Sequence, residues 1–121
     1  MVDINKFIRH GDTDNPQKLA REHDLPQLDW SRISQRAAEN NVILKEAHRE
    51  VIRFLRDYYL HNGWPQSAAE LTRDMEQAFS EHGGKAYLYQ LFPQGPVAQA
   101  VTIAQLPAPA GVEQPSQGTV H

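Results

Sequence analysis

The sequence predicts a mainly α-helical fold of about five short helices in one small domain. Apolar residues recur at helical spacing between positions 29 and 105, and capping residues, glycines and prolines bound each candidate helix. A chain of 121 residues with 40% hydrophobic and 22% charged residues supports one modest core. We divide it into an N-terminal arm (1–28), a helical domain (29–105) and a C-terminal arm (106–121).

Composition excludes several functional classes. The net charge of −3 gives no broad basic field for nucleic acid or an anionic membrane. No apolar run approaches the roughly 18 residues that span a bilayer, and the first residues lack an apolar signal segment. We therefore expect a cytoplasmic protein that does not bind membranes. No histidine pair has a metal-ligand spacing, so we expect no metal and no cofactor.

The first helices follow from capping and periodicity. The N-terminal arm favours a short β-hairpin at residues 2–8 and a turn of helix at 17–22. Asp29 is placed to cap a helix from about Trp30 to Asn40. The strongest helical pattern runs from 46 to 62, ahead of Gly63. Its inner face consists of Val51, Ile52, Leu55 and Tyr59.

Three further helices follow, with breaks between them. Ser67 and Glu70 fit a capping box at the start of the third helix, and His82-Gly83-Gly84 ends it. A fourth helix runs from 85 to 92 and stops before a proline. Together these two resemble a helix-turn-helix. A fifth helix begins with a proline in its first turn and ends near Gln105.

The C-terminal arm is rich in proline and glycine and carries one formal charge, Glu113. Such a composition buries too little apolar surface to offset the entropy lost on ordering. We therefore predict a flexible arm from residue 106 to residue 121.

Two blocks of sequence resemble the DsrC/TusE family of sulfur-relay proteins. The first is VIRFLRDYY at 51–59. The second is YLYQLFPQGP at 87–96, which continues through QAV at 99–101 and LPAPAGV at 106–112. The resemblance covers about residues 28–112. It implies a helical domain with a small N-terminal hairpin, and a C-terminal arm whose thiol accepts sulfur and passes it on.

The departures from the family decide the functional hypothesis. The resemblance places one family cysteine where this chain has Val112 and a second, found in many members, where it has Val101, and the chain contains no cysteine at all. A persulfide needs a sulfur atom and a thiolate to form it, so we expect no catalytic residue here. Arg49 replaces a tryptophan usual in the family, Gln105 replaces a usual glycine, and the chain continues to His121, past the family's usual end.

Three functional hypotheses remain open. The first is a non-catalytic protein that binds partners of the sulfite reductase or sulfurtransferase-relay type, such as the TusBCD type, in a regulatory or competing role. The second is a helix-turn-helix regulator that reads DNA, although residues 44–92 carry six basic and seven acidic side chains, which gives −1. The third is a cysteine-free variant of an active sulfur carrier.

The candidate site for a partner or an anion combines three groups of residues. Three arginines share one face of the second helix. This face is either an anion-binding patch or a solvated face whose arginines pair with acidic neighbours. Aromatic residues of the fourth helix are either core or contact residues. The third group lies in the C-terminal arm. The full set is Arg49, Arg53, Arg56, Tyr87, Tyr89, Phe92, Pro107, Pro109 and Gly111. His48 is expected to pack or hydrogen-bond between helices.

Overall fold

The computed structural model describes residues 20–23, 25, 27–107 and 109. Within this part of the chain, the structure is helical and has no strand. Residues 20–23 are helical, and Ser80–His82 forms a 3-10 turn. The five longer helices are α1 (Trp30–Glu39), α2 (Glu46–Asn62), α3 (Ala68–Ala78), α4 (Lys85–Leu91) and α5 (Pro96–Ala104). The mainly α prediction is confirmed. The predicted N-terminal hairpin lies outside the described residues.

Both ends of α1 are closed by local hydrogen bonds. The Asp29 carboxylate accepts from the amides of Ser31 (3.0 Å) and Arg32 (3.3 Å), as the sequence predicted for its N-cap. At the other end Asn41 adopts a left-handed φ of 64°, which lets the Val42 amide donate to the Ala37 carbonyl at 2.8 Å. This arrangement turns the chain and buries Val42.

Glycines separate the middle helices where the sequence predicted breaks. Gly63 has a φ of 68° and donates its amide to the Tyr59 carbonyl at the end of α2. Ser67 then caps α3 by accepting from the Glu70 amide at 3.3 Å. Gly83 has a φ of 122°, and a Cβ there would lie 3.2 Å from the Cβ of Tyr87. A side chain at this position would therefore strain the turn into α4.

α5 lies at the centre of the domain and contacts each of the other four helices. Every residue of α5 except Ala98 is buried. Around it pack the largest fully buried side chains of the neighbouring helices, which are Tyr58, Phe79, Ile52, Leu55, Leu71, Met75 and Leu88. The predicted inner face of α2 is confirmed for Val51, Ile52 and Leu55, whereas Tyr59 is only half-buried. Phe54 and Tyr58 of the same helix also lie in the core.

Polar side chains fix the position of α5. Gln99 is 1% exposed, and its amide donates to the Asn40 carbonyl (3.1 Å) and accepts from the Gln94 amide (3.1 Å). Arg36 on α1 donates twice to the Thr102 carbonyl, at 3.1 and 2.6 Å. A guanidinium at this end of a helix satisfies a carbonyl of the last turn and complements the helix dipole.

Gln105 ends α5 in the left-handed conformation, with φ 62° and ψ 36°. Its amide donates to the Thr102 carbonyl (3.3 Å), and the Leu106 amide donates to the Val101 carbonyl (3.0 Å). These two bonds form a Schellman motif, whose turning residue is usually glycine. A β-carbon in this conformation costs free energy, so Gln105 holds the motif under strain.

We predict that Gln105→Gly raises the free energy of unfolding by about 1 kcal/mol, because it removes that strain. Urea denaturation followed by circular dichroism measures the change. Gln105→Ala is the matched control and should bring no gain, because alanine keeps the β-carbon. Equal stability of the glycine and alanine variants would contradict the prediction.

Candidate functional site

Two of the three predicted arginines converge on one aromatic ring. The guanidinium carbons of Arg49 and Arg53 lie 5.6 and 5.1 Å from the ring centroid of Trp30. Glu46, one turn earlier on α2, lies 3.6 Å from the Arg49 guanidinium and 3.2 Å from that of Arg53. We call these four residues the arginine–tryptophan cluster. Arg56 lies further along the helix and is half-buried.

The cluster has features of both interpretations of this face, the anion-binding patch and the solvated charged face. Glu46 pairs with the arginines, as a solvated charged face would. The side chains of Arg49 and Arg53 nevertheless stay 38% and 39% exposed, and their positions over an indole ring add cation–π attraction to the ion pairs. The cluster therefore presents two oriented guanidinium groups at the surface.

The aromatic residues of α4 divide between surface and core. Tyr89 is 45% exposed and can meet a partner. Tyr87 is half-buried and stacks against both Phe79 and His82, with ring centroids at 6.2 and 5.2 Å. Burial, with a smaller effect of nearby Glu50, raises the pKa of Tyr87. Phe92 is fully buried, so of the two interpretations of this residue the structure supports the core one. It supports the site from within and offers no contact surface.

His48 joins the start of α2 to the end of α4. Its Nδ1 accepts from the Lys45 amide (3.1 Å) and its Nε2 donates to the Leu91 carbonyl (2.9 Å). The ring also meets Phe92 edge-on at 5.2 Å. Because an amide only donates and a carbonyl only accepts, these bonds select a neutral ring with the proton on Nε2. The structural role expected for His48 matches these contacts.

Burial lowers the pKa of His48, with the Lys45 charge acting in the same direction and the Leu91 hydrogen bond opposing. The unfolded chain therefore binds a proton more readily than the folded chain. Stability from the neutral ring is fully present above the unfolded pKa of about 6.5 and is lost as the pH falls toward the lower folded pKa.

We predict that His48→Gln costs about 1 kcal/mol at pH 7.5, where one ring hydrogen bond is lost. Glutamine at this position still accepts from the capping amide but does not titrate. The stability difference between wild type and His48→Gln should therefore shrink as the pH falls from 7.5 to 5. Urea denaturation across this range measures it, with His61→Gln as the control. A difference independent of pH would contradict the assigned ring state.

The beginning of the C-terminal arm packs against the domain. Leu106 is 5% exposed, and the Trp64 indole donates to the Pro107 carbonyl at 2.7 Å. Pro109 is buried, whereas Pro107 is exposed. We expected a flexible arm from residue 106, but the described residues of this segment are held by burial, by the Leu106 amide bond to Val101 and by the Trp64 bond to Pro107. Gly111 and Val112 lie outside the described residues.

We predict that Trp64→Phe loosens this segment, because phenylalanine cannot donate to the Pro107 carbonyl. Amide hydrogen exchange of Leu106 should accelerate about fivefold, which corresponds to one lost hydrogen bond of about 1 kcal/mol. Exchange of Ile52 in the core corrects for any global destabilisation, and Tyr89→Phe serves as the control variant. Unchanged exchange at Leu106, relative to Ile52, would mean that Trp64 does not hold the segment.

Val101, where the sequence resemblance leads us to expect a cysteine in many family members, is fully buried in α5. No cysteine is present in the sequence, so neither family position carries a thiol. Among the described residues, no group of three or more histidine or acidic side chains is arranged to hold a metal ion. None of the helices in this part of the chain has the length and apolarity needed to cross a bilayer.

The α3–α4 pair, which resembled a helix-turn-helix, presents little positive charge. Lys85 is the single basic residue within α4, and the exposed residues of that helix also include Ala86, Tyr89 and Gln90. A helix that enters the major groove normally carries several basic or amide side chains toward phosphates and bases. The surface of α4 therefore suits a protein contact better than a DNA contact.

Comparison with known proteins identifies the family. A family model described as "DsrC like protein" matches residues 17–112. The chain belongs to the DsrC/TusE family. Sulfurtransferase TusE of Sodalis glossinidius (strain morsitans) is 40% identical over 84 residues, 67% of this chain and 78% of the relative. Sulfurtransferase TusE of Escherichia coli (strain K12) is 46% identical over 74 residues, 60% of this chain and 68% of the relative.

A third relative of the DsrC/TusE family, Sulfurtransferase TusE of Salmonella typhimurium (strain LT2), is 42% identical over 74 residues, 60% of this chain and 68% of the relative. No solved structure matches the chain. Family membership agrees with the resemblance inferred from the two sequence blocks, and the family is one of sulfur-relay proteins.

Several surface features could not be expected from the sequence. No spacing rule linked Trp30 to Arg49 and Arg53, which come from another helix. No local pattern linked Trp64 to the C-terminal segment, which its indole reaches at Pro107. Ile43 is 80% exposed between α1 and α2 and lines a shallow depression with Ser34, Ala38, Asn41, Val42 and Leu44. Only a missing helical period around Ile43 hinted at its position outside the core.

Proposed function

We propose that this chain is a non-catalytic member of the DsrC/TusE family that binds protein partners of sulfur relay, in a regulatory or competing role. One combination of findings supports the proposal: the chain matches the family model, and it contains no cysteine. Sulfur carriage through a persulfide requires a thiolate. The two methionines cannot replace it, because a thioether has no proton to lose.

The exposed members of the candidate site support binding. Arg49, Arg53, Tyr89 and Pro107 all reach the surface. Arginine and tyrosine are the residue types enriched at protein interfaces, because they combine large contact areas with directed hydrogen bonds. A domain of the family's shape with these groups is suited to occupy the docking surfaces of its thiol-bearing relatives on a sulfurtransferase relay or a sulfite reductase.

Two properties distinguish a competitor from a carrier. We expect the chain to remain unmodified when incubated with a persulfide donor, whereas a cysteine-bearing TusE protein should gain the mass of sulfur under the same conditions. We also expect the chain to slow sulfur transfer to that TusE protein from its upstream partner, and the inhibition should diminish as more TusE is added. Intact mass spectrometry and a transfer assay measure the two outcomes.

Covalent loading of the chain with sulfur would overturn the proposal. An absence of both association and inhibition with relay and sulfite reductase partners would also remove it. A mobility-shift assay at low salt tests the DNA-regulator alternative, for which the charge of α4 gives no support. Sequencing the native gene tests whether an active, cysteine-bearing form exists.

A further inference from the structure

We propose that the arginine–tryptophan cluster binds an acidic segment of a protein partner, and that Glu46 competes with this segment from within the chain. The inference deepens the proposed function and rests on it for the biological identity of the partner. The binding chemistry itself follows from the geometry of Trp30, Glu46, Arg49 and Arg53.

Within the part of the chain that the structure describes, the contacts of the cluster leave positive charge and guanidinium donors unused. Two guanidinium groups share one carboxylate, which leaves a surplus of one positive charge. Arg53 donates a single Nη1 hydrogen bond to Glu46 at 3.2 Å, and the Arg49 contact at 3.6 Å is too long for a hydrogen bond. Each guanidinium carries five N–H donors. Glu46 therefore satisfies only a small part of the cluster's binding capacity.

Arg49 gives a second sign of incomplete pairing. Its Nε atom is buried, and no acceptor among the described residues lies within hydrogen-bonding distance. A buried donor without an acceptor is unfavourable. The Arg49 side chain is thus held by the Trp30 ring and a distant carboxylate rather than by strong hydrogen bonds. The buried Nε cannot meet a partner, but the Arg49 side chain is 38% exposed, so a partner carboxylate can bond guanidinium donors that Glu46 leaves unused.

The Trp30 ring preorganises the two arginine side chains for ligand binding. Both guanidinium groups lie within 5.6 Å of the ring centroid, and this contact restricts the long side chains before any partner arrives. Ordering such side chains normally reduces affinity. Glu46 is 67% exposed at its side chain, and ion pairs of exposed groups are weak. An incoming carboxylate can therefore displace Glu46 at little cost.

The exposed, one-sided shape favours an acidic chain over a small anion. Arg49 and Arg53 are one helical turn apart on α2, so two carboxylates on neighbouring positions of a partner can pair with them together. A single oxyanion would be held on one side only and would stay largely hydrated. When several carboxylates belong to one chain, binding of the first raises the effective concentration of the others at the cluster, so each further contact increases the affinity.

The test is an NMR titration of the full chain with a short oligoglutamate peptide, which follows the Trp30 indole and the arginine Nε resonances. We expect saturable shifts at these groups and none with oligolysine. Arg53→Gln should weaken binding about tenfold, because it removes a charge-assisted contact. Glu46→Gln should strengthen binding about threefold, because it removes the internal competitor.

Matched control variants distinguish the effect of local pairing on peptide binding from the effect of net charge. Arg73→Gln and Glu81→Gln change the net charge by the same amounts at exposed positions on α3 and on the 3-10 turn. The inference is overturned if Arg53→Gln behaves like Arg73→Gln, or if Glu46→Gln behaves like Glu81→Gln. It is also overturned if sulfate at equal ionic strength reproduces the peptide shifts at similar concentration, since that would indicate a site for small oxyanions.

The outcomes also separate this inference from the proposed function. In one outcome the peptide binds, Arg53→Gln weakens binding and Glu46→Gln strengthens it, but the chain does not associate with sulfur-relay partners. This outcome would uphold the acidic-segment site and remove the relay role. Association with relay partners that is unaffected by Arg53→Gln would uphold the relay role and remove the site.

Discussion

The burial of α5 on every side is the constraint on which the rest of the structure depends. A helix of nine residues is too short to be stable alone in water, so α5 exists because four other helices surround it. Each buried valine or isoleucine contributes roughly 1.5–3 kcal/mol to this arrangement. Its polar groups need partners inside the domain, and Gln99 and Arg36 provide hydrogen bonds that also fix the helix in position.

This constraint connects the two ends of the candidate site. Arg36 holds the last turn of α5 from α1, the helix that begins with Trp30 of the arginine–tryptophan cluster. The same last turn directs Leu106 into the core and brings Pro107 to Trp64. A partner that contacted either surface would therefore touch residues anchored to one central helix.

Local rules predicted the helices well because each boundary is set by residues close in sequence. The Asp29 cap, the Gly63 stop and the Ser67 cap all operate within four residues. The site was less predictable because its contacts join distant parts of the chain. Trp30 meets Arg53 from a different helix, and Trp64 meets Pro107 across 43 positions. Helical periodicity left open whether Phe92 is a core residue or a contact residue, because both faces of α4 are apolar in sequence.

The complete burial of Val101 also bears on where a thiol could react in this scaffold. A cysteine placed at this position would enclose its sulfur among α5 and the neighbouring helices. A thiol in such surroundings is reluctant to ionise and is chemically inert. Reactivity at position 101 would require the core to open. A cysteine there would therefore not, by itself, give the scaffold an accessible nucleophile.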